Sequence, residues 1–300
     1  ARSGSPERSS SGSRSYPRTM ICGVYRLPRS TWYAAGTLSL VEKPMAAIKR
    51  GPRSWWNDEE VLASIREVLL ESSFHGEGYR KVRAKLRARG IRVGRNRVLR
   101  IMRENQLLVP MRRLANHGDR SHEGRIQTDR PNELWGADAA RFYTRKDGWC
   151  WFFGAIDHCS EDIVGWHVAK RGDRWAALEP IRQGIRAHYR NYATKIALGL
   201  GLRHDWGPQY CANQFLGELR WLGIKSTPSY VGEPQCNGIM ERWIRTLKEE
   251  CLYLYYFESL EEAREIIGEF IRRYNEEWML ERFEYRSPLE IRQSFAEVAA

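Results

Sequence analysis

Apolar positions in the first third of the chain recur at helical spacing in three short blocks. Val61, Ile65 and Val68 form the first block, and glycines separate it from the two later ones. Residues three and four apart share one face of a helix. The pattern therefore predicts three helices joined by short turns over residues 58–108.

Short apolar runs bounded by turn residues follow in the second half. Residues 134–143 form an apolar, aromatic run with strand character. A second run, residues 196–202, stops shortly before Trp206-Gly207-Pro208, which is a turn signal. Strands are therefore expected here, with Asp205 in the loop where one of them ends.

Helical patterns alternate with these strands and point to an α/β fold. Residues 242–250 read as a helix after a loop rich in helix breakers. Apolar positions between residues 257 and 274 predict a long amphipathic helix that packs across the sheet. Ser287 followed by Pro288 is the expected entry to a last helix, because serine caps a helix and proline fits its first turn.

Three acidic residues stand out by their places in this pattern. Asp138 lies within the aromatic strand, Asp205 follows a strand end, and Glu241 opens a helix, with 35 residues between Asp205 and Glu241. Displacement at a phosphodiester requires positive charge on the attacking and leaving oxygens, and hard cations such as Mg²⁺ take oxygen ligands. The trio therefore fits a site for two divalent ions that transfers phosphoryl groups on nucleic acid.

Arg245 and Lys248 lie four and seven residues after Glu241. At 3.6 residues per turn they share its helix face, so both cations could grip a DNA phosphate beside the metals. The alternative is an ordinary solvated face with one ion pair between residues four apart.

The positive charge is concentrated in the first part of the chain. The formal net charge is +12; residues 1–130 hold 27 Lys and Arg against 12 Asp and Glu, and residues 131–300 hold 22 against 25. This asymmetry indicates a polyanion-binding region beside a nearly neutral catalytic domain. We expect no membrane partner, because no apolar run reaches the roughly 18 residues of a spanning helix and no signal peptide is visible.

Neither the cysteines nor the histidines indicate a site of their own. Six cysteines occur without a C-x-x-C pair, which favours reduced thiols in a cytoplasmic protein. Asp157-His158-Cys159 is given a structural role, because consecutive side chains at a strand end point to different faces. His204 is expected to be a partly buried histidine at a strand end.

From Asn132 to about Phe295 the chain resembles the DDE transposases of bacterial insertion sequences, whose core is similar to that of retroviral integrases. Five motifs in order carry the resemblance: Trp135-Gly136-Ala137-Asp138, Ala155-Ile156-Asp157 with Ile163-Val164-Gly165-Trp166, His204-Asp205-Trp206-Gly207-Pro208-Gln209-Tyr210, Gly238-Ile239-Met240-Glu241-Arg242 with Thr246-Leu247-Lys248, and Tyr274-Asn275 with Ser287-Pro288.

The resemblance implies a ribonuclease H-like core with a mixed five-stranded sheet. It implies that Asp138, Asp205 and Glu241 are the catalytic and metal-binding residues, that they hold two Mg²⁺ or Mn²⁺ ions, and that Lys248 positions the DNA end. Ala140 stands where the family usually has threonine, and His204 stands where serine is commoner. Neither change removes a carboxylate.

The three predicted helices resemble the helix-turn-helix domain that precedes the core in this group. Arg80, Lys81, Arg95 and Arg97 lie between the apolar positions and are expected to contact DNA. The alternative is a small helical bundle with a solvated basic face.

The expected domain order is a disordered basic tail (1–19), a short helical segment and linker (20–57), the helix-turn-helix domain (58–109), a second linker (110–130) and the catalytic core (131–300). Expected partners are the DNA of element ends and target, further copies of the chain on that DNA, and a DNA-binding product of an upstream frame. The expected location is the cytoplasm, at the nucleoid.

Two other functions stay open from the sequence. The chain could be a DNA-binding regulator or remnant without catalysis, acting through its helical unit alone. It could also be a nuclease that cuts strands and never joins them.

Overall fold

The structure is a computed structural model that describes residues 16–28, 30, 55–109, 128–228 and 237–298. The chain divides into two compact units, residues 1–54 and residues 55–300. Within the first unit, helix α1 spans Arg18–Val24. Most of the predicted basic tail and of the predicted linker after residue 110 lies outside the described residues.

Three helices open the second unit, as the apolar spacing predicts. They are α2 (Asp58–Leu70), α3 (Tyr79–Ala88) and α4 (Arg95–Glu104). Helix α2 begins with a capping box, in which Asn57 and Glu60 each accept a hydrogen bond from the other's backbone N–H. The apolar faces of the three helices meet in a small core of fully buried side chains: Val61, Ile65, Val82, Leu86, Val98, Ile101 and Met102.

A five-stranded sheet follows, in the order β3-β2-β1-β4-β5. Its strands are β1 (Leu134–Thr144), β2 (Gly148–Asp157), β3 (Ile163–Ala169), β4 (Gly201–His204) and β5 (Lys225–Pro228). The first three pair antiparallel, whereas β4 pairs parallel to β1 and β5 parallel to β4. This mixed sheet has the ribonuclease H-like topology, and it confirms the expected fold class.

Helices cover both faces of the sheet. On one face lie α5 (Arg174–Tyr189), α6 (Pro208–Cys211) and α7 (Asn213–Leu222). On the other lie α8 (Gly238–Leu247), a π-helical turn (Lys248–Leu252) and α9 (Leu260–Glu277). A 3-10 turn (Glu281–Phe283) and α10 (Pro288–Val298) end the described chain. The long amphipathic helix and the proline-led last helix are thus confirmed.

Side-chain alternation along β1 decides which layer each residue faces. Trp135 and Ala137 are buried with α5 and α7, whereas Ala140 and Phe142 are buried with α8 and α9. Because the period of a strand is two, Asp138 lies on the same face as Ala140 and Phe142. It therefore faces the layer that carries Glu241.

The three-helix unit contacts the core through the segment between α2 and α3. The Phe74 ring makes edge contacts with Phe270 and Trp278, at centroid distances of 6.4 Å and 4.9 Å. Ser73 Oγ donates a hydrogen bond to Glu277 (2.5 Å). Among the described helices, none is long and apolar enough to cross a membrane.

Candidate active site

Asp138 is a half-buried carboxylate in the middle of β1. Its Oδ1 accepts a hydrogen bond from the Ala139 backbone N–H (2.7 Å). The Asp138 pKa is raised to about 6: burial is the largest cause, the negative charges of Asp205 and Glu241 act in the same direction, and the Ala139 N–H and Lys248 oppose the rise. Both other acids of the predicted trio therefore lie within electrostatic reach of Asp138.

Asp205 directly follows β4, as the sequence predicts. Strand β4 pairs with β1 in parallel, with Gly136 opposite Arg203. Asp138 and Asp205 each lie two residues beyond this pair in the same direction, with Asp138 still within β1 and Asp205 just past the end of β4. The exposed Asp205 carboxylate accepts a hydrogen bond from the Gly207 N–H (2.9 Å).

Glu241 lies in the first turn of α8, where solvent still reaches its carboxylate. Partial desolvation raises its pKa, and Arg245, one turn further along, opposes this shift. The helix N-terminus adds a partial positive charge that favours anions at this position.

Lys248 stands where α8 passes into the π-helical turn. The predicted helix over residues 242–250 thus ends its α-helical part at Leu247, three residues early. Lys248 nevertheless lies close enough to lower the pKa of Asp138, and Arg245 lowers that of Glu241. Both predicted cations therefore adjoin the acids.

Among the described residues, no three His, Cys, Asp or Glu side chains reach the mutual distances of a metal site. Carboxylate oxygens nonetheless suit hard divalent cations, and the charges of Asp205, Glu241 and Lys248 all act on the Asp138 carboxylate. Burial is the main cause of the raised pKa of Asp138, and the negative charges of Asp205 and Glu241 add to it.

Two rings support the loop that carries Asp205. His204 is 2% exposed, and its ring nitrogens pair with the Asp205 carbonyl and with Ser226 Oγ, each at 2.8 Å. Tyr210 stacks on His204 at a centroid distance of 5.5 Å. The strand-end position predicted for His204 is confirmed, and the side chain is more fully buried than expected. The sequence reasoning assigned no role to Tyr210, a fully buried side chain whose pKa rises through burial and the charges of Asp138 and Asp205.

Two contacts that the sequence reasoning missed fix α8 to the sheet. Asn237, just before the helix, donates from Nδ2 to the Ala137 carbonyl (3.0 Å). Arg242, next to Glu241, donates to both carboxylate oxygens of Glu161 (2.7 Å each), and Glu161 is 2% exposed. For the first contact, the sequence offers the Asn237-Gly238 pair, which marks the entry to the helix. For the second, the residues around Arg242 give no indication that its partner is Glu161.

The cations predicted to contact DNA in the helical unit have partners inside the chain. Arg80 forms an ion pair with Glu281 (2.6 Å), and Arg97 forms one with Asp58 (2.6 Å). Arg95 donates to the Tyr79 hydroxyl (2.7 Å) and stays exposed.

Lys81 departs furthest from its predicted role. Its Nζ lies over the Trp278 ring, 2.9 Å from the centroid. Burial lowers its pKa to about 7. Because this ammonium group is engaged with the core, we leave Lys81 out of the proposed DNA-binding surface.

Comparisons with known proteins match both parts of the chain. A family model described as an HTH-like domain matches residues 56–114, and two models described as an integrase core domain match residues 128–234 and 222–286. The two integrase-core matches together span more than half of the chain.

A curated relative is the transposase InsD for insertion element IS2A/D/F/H/I/K of Escherichia coli. It is 27% identical over 240 residues, which cover 78% of each chain. Among solved structures, the catalytic core domain of BIV integrase is 21% identical, covers 56% of this chain and 98% of its own, and gives a TM-score of 0.42. The HTLV-2 integrase catalytic core in complex with magnesium is 18% identical, covers 55% and 99%, and gives 0.38. The chain therefore carries an HTH-like domain followed by an integrase core domain, and the curated relative that it resembles over 78% of its length is an insertion-element transposase.

Proposed function

We propose that this transposase cuts the DNA ends of its insertion element and joins the released 3′-hydroxyl to a target phosphodiester. Asp138, Asp205 and Glu241 are the catalytic carboxylates of this proposal. The observation that supports it best is the electrostatic coupling of Asp138 to both other acids, although the three come from separate strands and a helix.

The three carboxylates would hold two Mg²⁺ or Mn²⁺ ions. When bound, these ions supply positive charge to the attacking and leaving oxygens of the displacement. Neighbouring carboxylates repel one another. Without the metal ions, Asp138, with a pKa of about 6, would be partly protonated near neutral pH. Cation binding would therefore release a proton from the Asp138 carboxyl.

Lys248 and Arg245 would hold the DNA phosphate beside the carboxylates. Both cations act on the acids electrostatically, so a phosphate at the same place would meet them too. The N-terminus of α8 would add backbone N–H groups that favour an anion.

The helical unit would hold the element end. Arg95 and its exposed neighbours on α4 are the best candidates for phosphate contacts, because the other predicted cations are paired within the chain. Two ends must meet before joining, so we expect further copies of the chain on DNA, and an upstream-frame DNA-binding product as an additional partner. The proposed location is the cytoplasm, at the nucleoid.

Incubation with Mn²⁺ and a pre-cut duplex bearing the element end tests this function. We expect both nicked and joined products, read on a sequencing gel. Nicks without joined strands would support a nuclease, and binding without cleavage would support a DNA-binding regulator. Glu265→Gln, on the exposed side of α9, removes the same charge as Glu241→Gln and is the matched control.

A further inference from the structure

A cluster of buried polar atoms lies beneath the entry to α8. Asn237 is 5% exposed and His158 is 4% exposed, and both adjoin Gly136 in β1. A Cβ at Gly136 would overlap Asn237 Oδ1 and lie 2.7 Å from His158 Nε2. Both polar atoms therefore border the small space that a side chain at position 136 would fill.

These atoms have no other use in the described part of the chain. Asn237 Oδ1 and both ring nitrogens of His158 are buried there without a hydrogen-bond partner among the described residues. Unsatisfied buried polar groups cost free energy, and a native structure keeps them for a reason. The other half of the Asn237 amide is in use, because Nδ2 donates to the Ala137 carbonyl.

The Asn237 amide connects the two elements that carry catalytic carboxylates. Its acceptor, Ala137, precedes Asp138 in β1, and Asn237 itself lies one helical turn before Glu241. An amide can bond in this way only if its oxygen points away from the Ala137 carbonyl. A donor to that oxygen would fix the orientation, and His158 Nε2 borders the same space at Gly136 as Asn237 Oδ1.

We propose that His158 and Asn237 are positioning residues, in which the His158 Nε2–H donates to Asn237 Oδ1 and holds the amide against the Ala137 carbonyl. The pair fixes the start of α8, and with it Glu241, beside Asp138. This inference rests on the proposed catalytic role of the carboxylates. Burial lowers the His158 pKa to about 4, so the ring is neutral and carries a single N–H at working pH.

Substitution at His158 separates hydrogen bonding from packing. His158→Gln keeps an N–H donor, whereas His158→Phe fills a similar volume without one. We expect amide hydrogen exchange over α8 to rise about tenfold in His158→Phe and in Asn237→Ala, and to stay within about twofold of wild type in His158→Gln. Exchange is measured by mass spectrometry on metal-free protein without DNA.

Gly136→Ala provides an independent variant, because it removes no polar group. The added methyl would push the amide and the ring apart, so we expect faster α8 exchange and a lower joining rate with KM for DNA nearly unchanged. Gly217→Ala on α7 is the matched control, because a Cβ there meets no described atom within 4 Å.

Two outcomes would overturn the inference: equal α8 exchange in His158→Gln and His158→Phe, or wild-type exchange in Gly136→Ala. If Asn237→Ala fails to fold, the comparison of His158→Gln with His158→Phe still tests the inference. The exchange measurement does not depend on catalysis. A wild-type protein that never cuts DNA would therefore remove the proposed function while leaving this comparison intact.

Discussion

The helical unit of residues 55–109 and the candidate active site of the core differ in whether their charged groups are paired with groups of opposite charge. In the helical unit, cations meet acids within the chain, as in the pairs of Arg97 and Arg100 with Asp58. In the core, three acids share one neighbourhood, and the pKa values of Asp138 and Glu241 are raised. Ion pairs within the chain stabilise a fold, whereas neighbouring groups of like charge favour the binding of a ligand of opposite charge.

The sequence could predict the elements that carry the candidate site, but not the contacts between distant parts of the chain. The elements around Asp138, Asp205 and Glu241 follow from local apolar patterns and turn residues, and the structure has each where expected. The partners of Lys81 and Asn237 lie far away in the chain, at Trp278 and Ala137. No local pattern encodes a contact between residues that meet only after the sheet and helices pack.

The π-helical turn at Lys248–Leu252 is a smaller miss of the same kind. Helical spacing continues through these residues in the sequence, so the pattern predicts an unbroken α-helix. Cys251 and Leu252 are buried in the core at the wider turn. This packing depends on tertiary contacts, which helical spacing in the sequence does not encode.

We expect the largest effect from removing one of the three carboxylates of the candidate active site. Glu241→Gln should lower both cutting and joining by more than about 100-fold, because metal ligands matter more than the residues that support them. DNA affinity, measured by gel shift, should change little. Wild-type turnover in Glu241→Gln, or an equal loss in Glu265→Gln, would contradict the role of Glu241.

Asp138→Asn should abolish turnover and at the same time stabilise the metal-free protein. The folded-state pKa of Asp138 is raised to about 6, so its contribution to stability is complete below the unfolded value near 4 and is lost as pH rises through 6. We expect the variant to gain about 1–2 kcal/mol in free energy of unfolding at pH 7, and little at pH 4. Urea titrations at both pH values measure this difference, and an equal change at both would refute the stated cause.

Asp58→Ala tests the opposite behaviour in the helical unit. It leaves Arg97 and Arg100 without their shared acid and should cost about 1 kcal/mol, because these pairs are partly exposed. Thermal unfolding of the full chain provides the measurement, with Glu59→Ala in the same helical turn as control. A gain in DNA affinity without loss of stability would instead assign these arginines to DNA.

The smallest effect separates two arginines of α4. Arg95→Ala should weaken DNA binding and reduce the slope of log affinity against log salt by about 1, as expected for loss of one phosphate contact. Arg97→Ala should lower stability and leave that slope unchanged, because Asp58 already holds its guanidinium. The reverse result would exchange their roles.

Anomalous diffraction from crystals soaked in Mn²⁺ tests the central claim most directly. We predict two peaks beside the carboxylates of Asp138, Asp205 and Glu241, the residues that would hold the ions. Manganese bound elsewhere in the core, or a Glu241 side chain that turns away from both peaks, would contradict the assignment of these three residues.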